Sequence, residues 1–209
     1  MRTWSWLLAF GLSAASGRVV TFDNGPLGKL PPEWTAAMPN HGHPPRWEIV
    51  KDLTAATQPY VLAQVSADPA RDRYPVATLN DVTFRDGEVS VRLKPVSGRE
   101  VQAGGIVWRY RDENNYYLAR ANALQKNVQV FKVVNGQRSP LMEAVRHEVP
   151  TNAWSILKIS ARGNRFQVYM DHRRVLQGYD NTFLGAGKVG LWTVADSVTY
   201  FDEFRILPR

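Results

Sequence analysis

The chain has 209 residues, enough for one domain with a sizeable buried core. It contains no cysteine, which excludes disulfides, thiolate nucleophiles and cysteine-ligated metal centres. The net charge is +7, but the basic residues are scattered and no zinc-finger, helix-turn-helix or RNP pattern accompanies them, so nucleic acid is not an expected partner.

Met1-Arg2 is a short positive start, Trp4 to Leu12 is apolar, and Ser13 to Gly17 are small residues. That order predicts a secretory signal peptide over residues 1–17. The apolar run falls short of the roughly 20 residues a bilayer span requires. The expected mature protein, residues 18–209, is therefore a single soluble domain without a membrane span, secreted or periplasmic. Its oligomeric state is not legible.

From there the chain reads as short strands separated by turns. Val19–Asp23 is the first predicted strand, and residues 24–45, rich in Pro and Gly, form a long loop. Trp47–Lys51, Tyr60–Ser66 and Val76–Asn80 follow. Val82–Arg85 and Glu88–Lys94 flank Asp86-Gly87, which predicts a hairpin. A second hairpin joins Gly105–Arg111 to Tyr116–Asn122. Val128–Val134, Arg138–Met142, Trp154–Ala161, Arg165–Met170, Arg173–Gln177, Lys188–Thr193 and Val198–Ile206 complete the set. No stretch of helical period competes, so the fold class is all-β, a sandwich or barrel.

If Arg111 pairs with Tyr116, alternation places Arg109, Arg111, Tyr116, Arg120 and Asn122 on one face of the second hairpin. Guanidinium forks and an amide suit sugar hydroxyls or carboxylates, and a Tyr ring can support a sugar's apolar face. Arg109, Tyr116, Arg120 and Asn122 are thus the candidate ligand-binding residues. Trp108, Tyr110 and Tyr117 fall to the core. A one-residue slip reverses the assignment, and the competing reading is a solvated face with Arg stems over apolar surface. Trp192 and Asp196 lie where they would rim the same face, although Trp192 reads more readily as core. His41-Gly42-His43 offers two imidazoles but no third metal ligand, and reads as loop. No Ser/His/Asp arrangement and no phosphate-cradling glycine motif is present.

Several segments in order resemble the concanavalin A-like lectin/glucanase superfamily, laminin-G-like domains in particular. They are Gly104 to Arg109 with Asn115-Tyr116-Tyr117, then Asn135-Gly136, Trp154 to Ile159, Phe166 to Asp171, Gly187 to Trp192, and Val198 to Asp202. The sequence is especially similar to bacterial secreted domains that include 3-keto-disaccharide hydrolase-like ones. The resemblance covers about residues 80–206. It implies a two-sheet jelly roll with one concave face and Trp154 in the core. It also implies that a structural calcium would sit near the first and last strands, where Asp23 and Asp202 are the candidate ligands; no other cofactor is expected. The laminarinase-type Glu-x-Asp-x-x-Glu segment of that superfamily is absent, and Asp202-Glu203 are neighbours that alternate to opposite faces. The expected function is noncatalytic carbohydrate binding through a concave β-face. The alternatives are a glycoside hydrolase or 3-keto-disaccharide hydrolase-like enzyme, and an envelope protein-interaction module.

Overall fold

The computed structural model describes residues 17–209. The leader expected over residues 1–17 lies outside them, Gly17 excepted. The first strands are β1 (Arg18–Val20), β2 (Trp34–Ala37), β3 (Trp47–Lys51), β4 (Tyr60–Gln64), β5 (Val76–Leu79) and β6 (Gly87–Ser97). The central ones are β7 (Ala103–Asp112), β8 (Asn115–Asn122), β9 (Asn127–Val134), β10 (Gln137–Pro140) and β11 (Val145–Arg146). The last are β12 (Ser155–Arg162), β13 (Arg165–Met170), β14 (Arg173–Tyr179), β15 (Lys188–Thr193) and β16 (Val198–Pro208). No helix among the described residues is long and apolar enough to cross a membrane.

Two antiparallel sheets form a sandwich. The first runs β14-β13-β12-β6-β16-β4-β3, with β1 also on β16; the second runs β10-β9-β8-β7-β15-β5-β2, with β11 also on β9. Alternation drives the layering. In β6, Val89, Val91 and Leu93 are buried while Glu88, Ser90 and Arg92 are partly exposed. In β12, Leu157, Ile159 and Ala161 face inward and Ile156, Lys158 and Ser160 outward. Between the sheets, Trp108 stacks on Tyr117 at 5.2 Å and meets Phe166 of the opposite layer at 6.0 Å. Burying one such ring removes about 150–250 Å² from water, worth roughly 4–6 kcal/mol gross.

Four expectations change. Asp86-Gly87 does not close a hairpin: Phe84 bridges Gly187 in the other layer, while β6 pairs with β12 and β16. Gly87 takes φ 131 because the chain turns against Leu207, whose carbonyl oxygen would lie 2.2 Å from an added Cβ. The 24–45 loop contains β2, which pairs with β5 and seats Trp34 against Phe204. Trp154 is not core. It precedes β12, is only partly buried, and donates its indole N–H to Thr54 Oγ1 at 3.1 Å.

The β7–β8 register is the fourth. Trp108 pairs with Tyr117 and Asp112 with Asn115, with a bulge between Trp108 and Asp112 where Arg109 takes φ 49. A bulge inserts an unpaired residue and re-aims side chains. Tyr110, expected inward, therefore emerges on the outer side, stacked on Tyr116 at 5.6 Å.

Candidate functional site

The outer face of the second sheet is where the predicted ligand residues were to meet. Its centre is closed. Tyr116, Leu118, Val133 and Trp192 are each fully buried there. Tyr74, just before β5, stacks on Trp192 at 5.8 Å. The Arg138 guanidinium from β10 covers the rings of Tyr74, Phe131 and Trp192 at 4.7, 5.0 and 5.6 Å. Arg73, fully buried, anchors this cover by donating to His43 O at 2.9 Å, Ala195 O at 2.9 Å and Ser66 Oγ at 2.6 Å. Burial drives the Tyr116 hydroxyl well above the ordinary phenol range.

The structure separates the four predicted residues. Arg109 is 2% exposed and leaves the face altogether. Its Nε donates to Arg85 O at 3.0 Å, its Nη1 to Phe183 O at 2.8 Å, and its Nη2 to Asp86 Oδ1 at 3.1 Å and to Gly163 O. It is a clamp between the two layers with its donors spent on protein acceptors. Tyr116 is a buried ring of the outer cluster. Those two assignments are corrected: the bulge turns the first away and the Tyr74 cover closes over the second.

Arg120 and Asn122 stay together at the open end of the face. Arg120 pairs with Gln129 and Asn122 with Asn127 in the β8–β9 register. Arg120 Nη2 donates to Gln125 Oε1 at 3.1 Å, Asn127 Oδ1 at 3.0 Å and Gln129 Oε1 at 3.4 Å. Asn122 Nδ2 donates to Gln125 Oε1 at 3.0 Å, and Asn122 Oδ1 accepts from the Gln125 backbone N–H at 3.1 Å. Burial, with help from the nearby Arg138 charge, lowers the Arg120 guanidinium to about 10.

A guanidinium only donates, so it fixes which end of each amide faces it. The carbonyl oxygens of Gln125, Asn127 and Gln129 turn toward Arg120. Gln129 Nε2 then reaches Met142 O at 3.1 Å. The NH₂ groups of Gln125 and Asn127 have no partner among the described residues, and both side chains line an open cavity of about 320 Å³. Leu124, 46% exposed, and the basic side chains of Lys126 and Arg146 complete the rim. No carboxylate lines it. Sequence reasoning named Arg120 and Asn122 but not Gln125, Asn127 and Gln129, which the structure brings beside them. The signal was available: amides at 122, 125, 127 and 129 straddle one turn, and 127 and 129 share a strand face.

The calcium candidates serve other partners. Asp23 Oδ1 accepts the Tyr60 N–H at 3.2 Å. Asp202 is fully buried and accepts from Thr57 N at 2.9 Å, Thr57 Oγ1 at 2.6 Å and Glu203 N at 2.7 Å. Both Asp202 oxygens thus face protein donors, an arrangement that does not fit a cation. No group of three His, Asp or Glu side chains placed to hold a metal occurs among the described residues. His41 and His43 instead face Asp72 and Asp68, at 3.1 and 2.7 Å.

No protein-family model matches the chain. Over 128 residues it is 33% identical to a levanase of Bacillus subtilis (strain 168); the match covers 61% of this chain but only 18% of that protein. The carbohydrate binding module CBM66 from Bacillus subtilis superposes with a TM-score of 0.64 at 22% identity, covering 83% of this chain and 95% of that one. A beta-glucanase of Bacillus licheniformis gives 0.55 at 12% identity, over 83% and 98%. The fold is the two-sheet jelly roll that these solved structures share.

Proposed function

We propose that this concanavalin A-like sandwich is an exported, noncatalytic carbohydrate-binding module whose glycan site is the amide-lined cavity at the β8–β9 turn. The observation that carries the reading is Arg120. It is 6% exposed and holds three side-chain carbonyls inward. Oriented amide N–H groups are thereby left for sugar hydroxyls, with their orientation fixed before the ligand arrives. On this reading the ligand meets the end of the sheet's outer face, not its centre.

Two further points support it. Hydrolysis of a glycosidic bond ordinarily takes two carboxyl groups facing the bond, and this cavity has none. The similarity to part of a levanase and to a carbohydrate binding module makes levan the first glycan to test. Such partners also fit export.

Affinity electrophoresis through gels containing levan or other neutral polysaccharides checks the proposal. Asn127→Ala and Arg146→Ala together should weaken retardation about tenfold, the loss expected for one or two hydrogen bonds. The melting temperature should hold, because Arg120 keeps Gln125 and Gln129. Retardation by no glycan, or equal retardation of the double variant, defeats the reading. Release of reducing ends by the purified protein would replace it with the hydrolase alternative.

A further inference from the structure

The outer face of the first sheet carries a second cavity, of about 470 Å³, at the end of the β12–β13–β14 strands. We propose that it binds an acidic saccharide, a sugar chain bearing hexuronate carboxylates. The inference is independent of the neutral-glycan reading, because the two cavities lie on different sheets.

The case begins with Arg162 and Arg165. They are direct cross-strand partners where β12 turns into β13. Like charges placed opposite each other weaken a hairpin. Neither guanidinium has an ion-pair or hydrogen-bond partner among the described residues. A third, Arg209, lines the same cavity and lies 3.8 Å from Glu88. No carboxylate lines the cavity. On this same sheet Arg92 and Arg205 both contact Glu203, and Lys158 meets Glu88 at 3.2 Å. Arg92 and Arg205 on this sheet thus meet a carboxylate, whereas Arg162 and Arg165 do not.

The rest of the cavity is built for a sugar. Tyr179 pairs with Arg165 and is 76% exposed, a flat ring left open beside the charge. Gln167 pairs with Gln177 one step along the strands. Gln167 Oε1 accepts the Tyr169 hydroxyl at 2.8 Å, which leaves its NH₂ to face outward. Gln177 has no side-chain partner among the described residues. A planar carboxylate matches the guanidinium forks, a pyranose face matches the tyrosine ring, and hydroxyls match the amides. The net charge of +7 favours approach of a polyanion.

Calorimetric titration with tri-galacturonate, its methyl ester and inorganic sulfate at fixed ionic strength tests the assignment. Wild type should bind the acid, and the ester about tenfold or more weakly, as loss of charged hydrogen bonds requires. Arg162→Gln with Arg165→Gln should cost at least as much while the melting temperature holds or rises. Tyr179→Ala should weaken binding of the trisaccharide. The double variant should still bind levan if the wild type does, so the two sites fail separately. No binding of the acid, undiminished binding by the double variant, or sulfate binding as tightly as the trisaccharide overturns the proposal.

Discussion

Arg109 and Arg120 belong to one hairpin, yet their side chains do different work. The β7 bulge sends Arg109 between the layers, where four acceptors from residues 85, 86, 163 and 183 converge on it. Arg120, on regular β8, stays with its cross-strand amides. Removing a buried donor leaves its acceptors unpaired and desolvated. Arg109→Ala should therefore cost about 3 kcal/mol in urea unfolding while leaving glycan affinity at the β8–β9 turn unchanged. A cost below about 0.5 kcal/mol, the range of an indifferent surface change, would show that the clamp is idle. The positions of Arg120 and Asn122 were legible from alternation. The fate of Arg109 was not, because a bulge leaves no fixed residue signature and shifts every side chain within it.

At the scale of elements, the β14–β15 connection is tied down by one carboxylate. Asp180 Oδ1 accepts the Tyr117 hydroxyl at 2.6 Å and the Thr182 N–H at 2.7 Å, and Oδ2 meets Lys132 Nζ at 3.1 Å. Burial raises the carboxyl, but the bonds from Thr182, Tyr117 and Lys132 outweigh it and hold it at about 2, against an ordinary 3.8. A depressed folded value contributes stability that is complete above the unfolded pKa and lost as pH falls through the folded one. The urea midpoint should thus decline between about pH 4 and pH 2, and decline less steeply in Asp180→Asn. Identical acid limbs in the two proteins would remove Asp180 from the account. Alternation along Val128–Val134 puts Lys132 on the face opposite Gln129. The Lys132 partner 48 residues later was not legible, since loop-to-strand contacts have no period. The Asp86-Gly87 misreading has a similar origin: the chain bends there, but Phe84 bridges Gly187, just before β15 in the other layer.

For the molecule as a whole, the strand pattern was enough to predict an all-β sandwich or barrel, and fourteen of the fifteen predicted strands overlap observed ones, Val82–Arg85 being the exception; the choice of two stacked sheets came from the family resemblance. What alternation does not reveal is which outer surface is free. One sheet presents aromatic residues at its centre, and Tyr74 and Arg138 shut them away. The two cavities proposed as sites lie at the ends of strands, lined by amides on one sheet and by arginines on the other. The most direct test of this account is a map of backbone amide shifts in the ¹⁵N-labelled protein during titration with a soluble levan oligosaccharide. The account predicts perturbations confined to the β8–β9 turn and Arg146, with Trp192 and Tyr116 silent. Shifts centred on Tyr74, Trp192 and Arg138, with the turn unmoved, would contradict it.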